Sequence, residues 1–301
     1  MSAYDKMKET QEKMAEAIIK ALDAGEASGK WVMPWDKSSD FPTNATTGKT
    51  YGGSFNGFWL MLAGTHHGDN RWAGASQWKK AGNLVKKGEN GTPIFFPRFK
   101  CAHCGVPVGF AKKCRNGHDL KKAEDKAWSG WGTSYVFNNQ QTVRPLESVE
   151  VKDVDPAVGF EKAAALVLKH GANLSHGGGR AFYRPSEDRI QLPEPGKFNT
   201  VADYWATSLH EHAHWTGHAS RLNREGITKF GGFGSESYAF EELVAEIGSA
   251  FVCKHIGVER SGLFDNHVAY LSSWKKALKD DPKVVSKAIS QAGAVMRYLI
   301  K

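Results

Sequence analysis

The stretch Ser208-Leu-His-Glu-His-Ala-His-Trp-Thr-Gly-His218 decides how the second half of the chain is read, because it contains His210-Glu211-x-x-His214. On a helix, residues four apart lie on one face. His210 and His214 can therefore present imidazole nitrogens to a single Zn²⁺ while Glu211, one step round, reaches toward a metal-bound water. The flanking residues predict the helix that this needs. Thr200 is a capping residue, Val201, Tyr204, Trp205 and Leu209 make an apolar stripe, and Gly217 marks a stop. His212 points away from the pair and reads as a surface residue.

A hydrolytic zinc has three protein ligands and one open position. The third ligand is expected from residues 235–251, an amphipathic segment with carboxylates at Glu241, Glu242 and Glu246. Glu242 is expected to bind the metal and Glu246, one turn on, to accept a hydrogen bond from the far nitrogen of a ligating histidine. His218 is the rival third ligand, but Gly217 breaks the helix before it, which leaves it a supporting place beside the site. Residues 177–193 predict a hairpin just before the zinc helix, and Tyr183 on it is a candidate to contact the reacting carbonyl.

Four cysteines among 301 residues do not make a disulfide framework. Cys101-x-x-Cys104 followed by Cys114-x-x-x-His118 predicts a structural zinc knuckle with no open position, and His103 competes with His118 for the fourth place. Its metal would hold together an insertion with little core of its own. No apolar run is long enough for a membrane span, and the first residues contain no signal-peptide core, so a cytoplasmic protein is expected.

The net charge of +8 is unevenly placed. Residues 71–126 carry 13 basic against 4 acidic side chains, and seven of the ten tryptophans fall in the first half. Aromatic rings for stacking, set among cations for phosphates, predict single-stranded DNA binding without sequence readout. Tyr51, Trp72 and Trp78 are the expected rings, and Lys79, Lys80, Lys86 and Lys87 the expected cations. Thr47-Gly-Lys-Thr50 lacks the first glycine of a phosphate loop, which excludes nucleotide binding of that kind.

Periodicity and punctuation predict a helix over residues 3–24 ended by Gly25, and a helix over 72–85. Strands are predicted at 92–99 and 135–142, a helix from Asp155-Pro156 to Gly171, and two helices at 266–279 and 282–300. The expected architecture is α+β in two domains, a single-strand-binding half at residues 1–148 with the knuckle at about 100–120 and an enzyme half with the metal site at residues 149–301.

Several longer patterns converge on one family. In the first half these are Pro42-x-Asn44-x-x-Thr47-Gly-Lys-x-Tyr51, Gly82-x-x-Val85-x-Lys-Gly88 and Val136-Phe-Asn138-x-x-Gln141-Thr142. In the second they are Ala181-Phe-Tyr183-x-Pro185-x-x-Asp188, the zinc motif continued to Arg221-Leu, and Tyr238-Ala-x-Glu-Glu242-Leu-Val-Ala-Glu246. With these the chain resembles the ArdC-type antirestriction proteins of plasmids and phages. The resemblance implies an N-terminal domain that binds single-stranded DNA and a zincin-like peptidase domain of the polyvalent-protein type. It further implies His210, His214 and Glu242 as ligands, Glu211 as catalytic carboxylate, and a role in helping incoming DNA escape restriction. The knuckle departs from the family pattern. The expected partners are single-stranded DNA and a protein substrate, inferred to be DNA-bound. The competing expectation is a DNA-masking protein whose zinc fold only stabilises it.

Overall fold

The computed structural model describes residues 2–28, 41–51, 54–109, 112–147, 155–229, 236–258 and 268–301. The chain opens with α1 (Ala3–Ser28), which runs past Gly25, where the sequence predicted its end. Met14, Ile18 and Leu22 recur every four residues and are fully buried, so one face of α1 is committed to a core.

A five-stranded sheet follows, formed by β1 (Thr43–Asn44), β2 (Arg71–Ala73), β3 (Thr92–Cys101), β4 (Pro107–Val108) and β5 (Lys126–Asn138) in the order β1-β2-β5-β3-β4. Between the strands lie α2 (Phe55–Gly64) and α3 (Ala75–Lys80). The predicted helix at 72–85 is therefore a strand, a two-turn helix and turns. Trp72 pairs with Asn138 in the ladder, which only an extended backbone allows. β3 and β5 form a long antiparallel ribbon, and the segment between them holds the four knuckle residues.

Two expectations about nucleic-acid contacts fail here. Trp72 is fully buried with Leu60 and Val136. Trp78 is 1 % exposed, with its indole N–H donated to the Phe137 carbonyl at 3.1 Å. Neither ring is available to a base. The apolar free energy of enclosing an indole outweighs any surface role that the neighbouring lysines suggested. Tyr51 is half-buried against the same cluster. Lys79, Lys80, Lys86 and Lys87 are exposed, Lys86 bonding the Gln140 carbonyl at 2.9 Å.

The second half begins with α4 (Pro156–His170), capped by the Asp155 carboxylate at its start and by Gly171 in the left-handed region at its end. A small sheet of β6 (Asn173–His176), β7 (Phe182–Arg184) and β8 (Arg189–Leu192) has the order β6-β8-β7, which leaves β7 at an edge. Then come α5 (Val201–Trp215), the short α6 (Glu225–Thr228), α7 (Glu236–Ile256), α8 (Val268–Asp280) and α9 (Lys283–Ile300). From Ala239 to Val252 only Phe240 is not buried, so α7 is the central rod, enclosed by the other helices.

The expected domain boundary near 148 lies outside the described residues. Across it, the apolar interior is continuous. One cluster joins Met14, Ile18 and Leu22 of α1 and Phe58 and Met61 of α2 to Leu243, Ile247 and Phe251 of α7 and Ile289 and Val295 of α9. The Phe58 and Phe251 rings meet edge to face at 6.2 Å.

Candidate metal centres

The α5 helix starts where Thr200 accepts a hydrogen bond from the Asp203 N–H at 3.0 Å, and its last two turns carry His210, Glu211 and His214 into the interior. α7 crosses against it and presents three carboxylates to them. His210 Nε2 and His214 Nε2 are 3.1 Å apart. Glu242 lies 3.4 Å from the first through Oε2 and 3.5 Å from the second through Oε1. Tetrahedral zinc with bonds of about 2.0–2.1 Å separates its ligand atoms by about 3.3–3.4 Å. The three donors thus fit one small cation.

The far nitrogens face carboxylates. His214 Nδ1 lies 3.3 Å from Glu241 Oε1 and His210 Nδ1 3.4 Å from Glu246 Oε2. Carboxylates accept, so His214 Nδ1 carries the proton and its Nε2 lone pair aims at the shared point, while Glu246 faces the corresponding nitrogen of His210. Glu241 is itself gripped by Arg224, whose Nε and Nη2 donate to Oε2 and Oε1 at 3.0 and 2.5 Å. The remaining Arg224 donors reach Thr216 Oγ1 and the Ala213 carbonyl, both at 2.7 Å. Gly226 makes room: a Cβ there would sit 2.6 Å from Glu241 Cβ. Four buried carboxylates (Glu211, Glu241, Glu242 and Glu246) face one guanidinium, an excess of negative charge that a divalent cation would reduce.

Glu211 is buried, and burial together with the neighbouring Glu242 carboxylate pushes its carboxyl above the usual range against the pull of the two imidazoles. The Tyr183 backbone N–H on β7 also pulls this carboxyl downward. The Tyr183 hydroxyl, in contrast, is engaged within the protein, donating to Asp188 at 2.8 Å and lying 3.3 Å from Arg221. His218 is removed from the ligands, with Nδ1 bonded to Ser220 Oγ at 2.8 Å. His212 is a buried residue rather than a surface one. Its Nδ1 donates to the Ser208 carbonyl at 2.6 Å, and burial lowers its pKa to about 4.

Sequence reasoning gave no role to Arg224 and left Glu241 as one unassigned carboxylate of three. The signal was the adjacent pair Glu241-Glu242, since two consecutive buried carboxylates on a helix must serve two different partners.

The knuckle is a second convergence. Cys104 Sγ and Cys114 Sγ are 3.8 Å apart, and His118 Nδ1 lies 3.7 Å from Cys101 Sγ and 3.4 Å from Cys114 Sγ. Zinc–sulfur bonds of about 2.3 Å in a tetrahedron place two sulfurs about 3.8 Å apart. Backbone N–H groups of His103 and Cys104 point at Cys101, that of Val106 at Cys104, and those of Asn116 and His118 at Cys114, the arrangement thiolates need. His103 turns away to Asp125 at 3.3 Å, which leaves the fourth place to His118.

Comparison with known proteins places these features. Residues 8–137 match the family described as the N-terminal domain of anti-restriction factor ArdC, and residues 161–291 match the zincin-like metallopeptidase family. The crystal structure of the antirestriction ArdC protein from plasmid R388 aligns over 96 % of both chains with 29 % identity. The TM-score is 0.70 for its metal-free form and 0.68 for its Mn(II)-bound form. Two Escherichia coli DNA primases TraC are 39 % and 38 % identical over 96 % of this chain, which spans only 20 % and 27 % of their lengths. Among the described residues no helix is long and apolar enough to cross a membrane. The chain therefore belongs to the ArdC antirestriction family, with an ArdC-type N-terminal domain and a zincin-like metallopeptidase domain that implies a metal cofactor.

Proposed function

We propose that this is an antirestriction protein of a plasmid or phage, acting in the host cytoplasm, that holds single-stranded DNA with its first half and cleaves a protein with its second. The observation that carries the peptidase reading is the spacing of His210, His214 and Glu242, three side chains whose ligand atoms approach one another at 3.1–3.5 Å beside Glu211. Zn²⁺ in such a site supplies Lewis acidity and a water of lowered pKa. Glu211 accepts the proton of the attacking water and delivers it to the departing amine. Glu241 and Glu246 face the far nitrogens of the imidazoles and orient them. The β7 edge offers backbone groups to an extended peptide. The knuckle residues Cys101, Cys104, Cys114 and His118 hold a structural Zn²⁺.

Glu211→Gln in the full chain, loaded with zinc, tests this. Metal content should be unchanged and cleavage of unfolded casein lost; cleavage at the wild-type rate ends the peptidase reading. One observation favours a second reading, a masking protein without catalysis. His210, Glu211, His214 and Glu242 are only 3–7 % exposed, which leaves a substrate little access. In that case antirestriction in cells survives Glu211→Gln.

A further inference from the structure

On the β3–β5 ribbon, Trp128 and Trp131 are three residues apart, a spacing that puts side chains on opposite faces of a regular strand. A bulge cancels this. Arg98 pairs with Gly130 and Phe99 with Trp128, so Ser129 is left over. Gly130 has φ 111°, which a side chain would strain. Trp131 is opposite Pro97 and Trp128 opposite Phe99, and residues directly opposite in an antiparallel pair share a face. Tyr135, opposite Pro93, and Lys126, opposite Cys101, belong to the same face.

That face is covered where Phe95 lies opposite Thr133, between exposed Tyr135 on one side and the two indoles on the other. Near Phe95 it is closed by α2, whose Phe55 packs against Phe95 with ring centroids 5.8 Å apart. Toward the knuckle it is bare: Trp128 is 61 % and Trp131 41 % exposed. A groove of about 260 Å³ runs along β3 beside β4, with Pro97, Phe99 and Pro107 in its lining. Cations stand at both ends, with Lys126 beside Trp128 and Lys6 4.7 Å from the Tyr135 ring centre. Residues 92–138 carry 8 basic against 3 acidic side chains, among them exposed Lys112, Lys113, Arg115, Lys121 and Lys122.

Resting on the reading that the first half holds single-stranded DNA, we propose that this bare face is the track, with bases stacked on Trp128 and Trp131 and phosphates running from Lys126 onto the knuckle. Exposed indoles are costly to maintain without a partner, and the ring of cations suits a polyanion better than a protein interface, whose centre is depleted of charge. A duplex keeps its base faces within its own stack, so unpaired strands are the match. The knuckle would then act as the far wall of the track.

The test is anisotropy of a labelled oligo-dT titrated with the full-length, zinc-loaded chain. The double variant Trp128→Ala/Trp131→Ala should bind at least about ten-fold more weakly. Trp128→Phe/Trp131→Phe should restore most of the loss. Lys126→Glu, which removes no ring, should also weaken binding and lessen its salt dependence. Leu168→Ala, on exposed α4, should change nothing. Equal binding by wild type and the double alanine variant would overturn the track while leaving single-strand binding intact; loss on replacing Lys79 and Lys80 instead would put the track on α3. If wild type does not bind oligo-dT at all, the track and the single-strand reading fall together.

Discussion

Arg224 and Glu241 form a bidentate ion pair with side chains 4 % and 1 % exposed, and the same Glu241 oxygen that accepts Arg224 Nη2 lies 3.3 Å from His214 Nδ1. A guanidinium on one side of the carboxylate thereby sets the imidazole on the other. Removing it leaves a buried charge without its counter-ion, which typically costs about 3–5 kcal/mol. Arg224→Met should lower stability to denaturant by that order and weaken zinc binding by about 10- to 100-fold, read by competition with a chromogenic chelator.

Metal analysis separates the two centres. Wild type is expected to hold two zinc ions per chain. His210→Ala should remove one and Cys114→Ser the other, because their donor sets share no residue. The Cys114 variant should also become sensitive to proteolysis within residues 101–125, where the metal stands in for a core.

Asp188 makes an acid-sensitive clamp. Arg221, and then the Tyr183 hydroxyl, hold its carboxyl below the ordinary value of 3.8 against partial burial. A depressed carboxyl contributes stability above its unfolded pKa and loses it as pH falls through the folded value. Asp188→Asn should therefore be less stable than wild type at pH 7, and the two should converge as pH drops below 3.8 toward the lowered folded value. Asparagine tolerates the positive φ of 44° there, so chemical denaturation at the two pH values reads the charge rather than backbone strain.

Ile18 is 1 % exposed on α1 within the cluster that also contains α7 and α9. Ile18→Ala should cost about 2–5 kcal/mol in the melting of the whole chain, not of its first half alone. Residues 155–301 produced without the first half should melt at a markedly lower temperature, followed by circular dichroism.

The metal helix is legible in sequence because its information is local: a cap at Thr200, ligands one turn apart and a carboxylate between them. Glu242 was reachable by chemistry, as the nearest helix with carboxylates at helical spacing. Arg224 was not, since its importance arises only when α6 folds back against α7. Trp72 and Trp78 looked the same as Trp128 and Trp131 in composition, yet the first pair is core and the second pair is bare. Burial of an aromatic depends on which strand lies over it. The bulge at Ser129, which decides the faces of the second pair, leaves no trace in a spacing rule.

The unbroken interior from α1 to α9 has a consequence for how such a chain is inherited. A recombination event that joined a foreign first half at residue 150 would strip α7 and α9 of the side chains that cap them, and leave a zincin-like scaffold with an open flank. Exchange of this sequence would have to move all of it or none. A match over 96 % of this chain, at 38–39 % identity, inside much longer primases is what that constraint would leave behind.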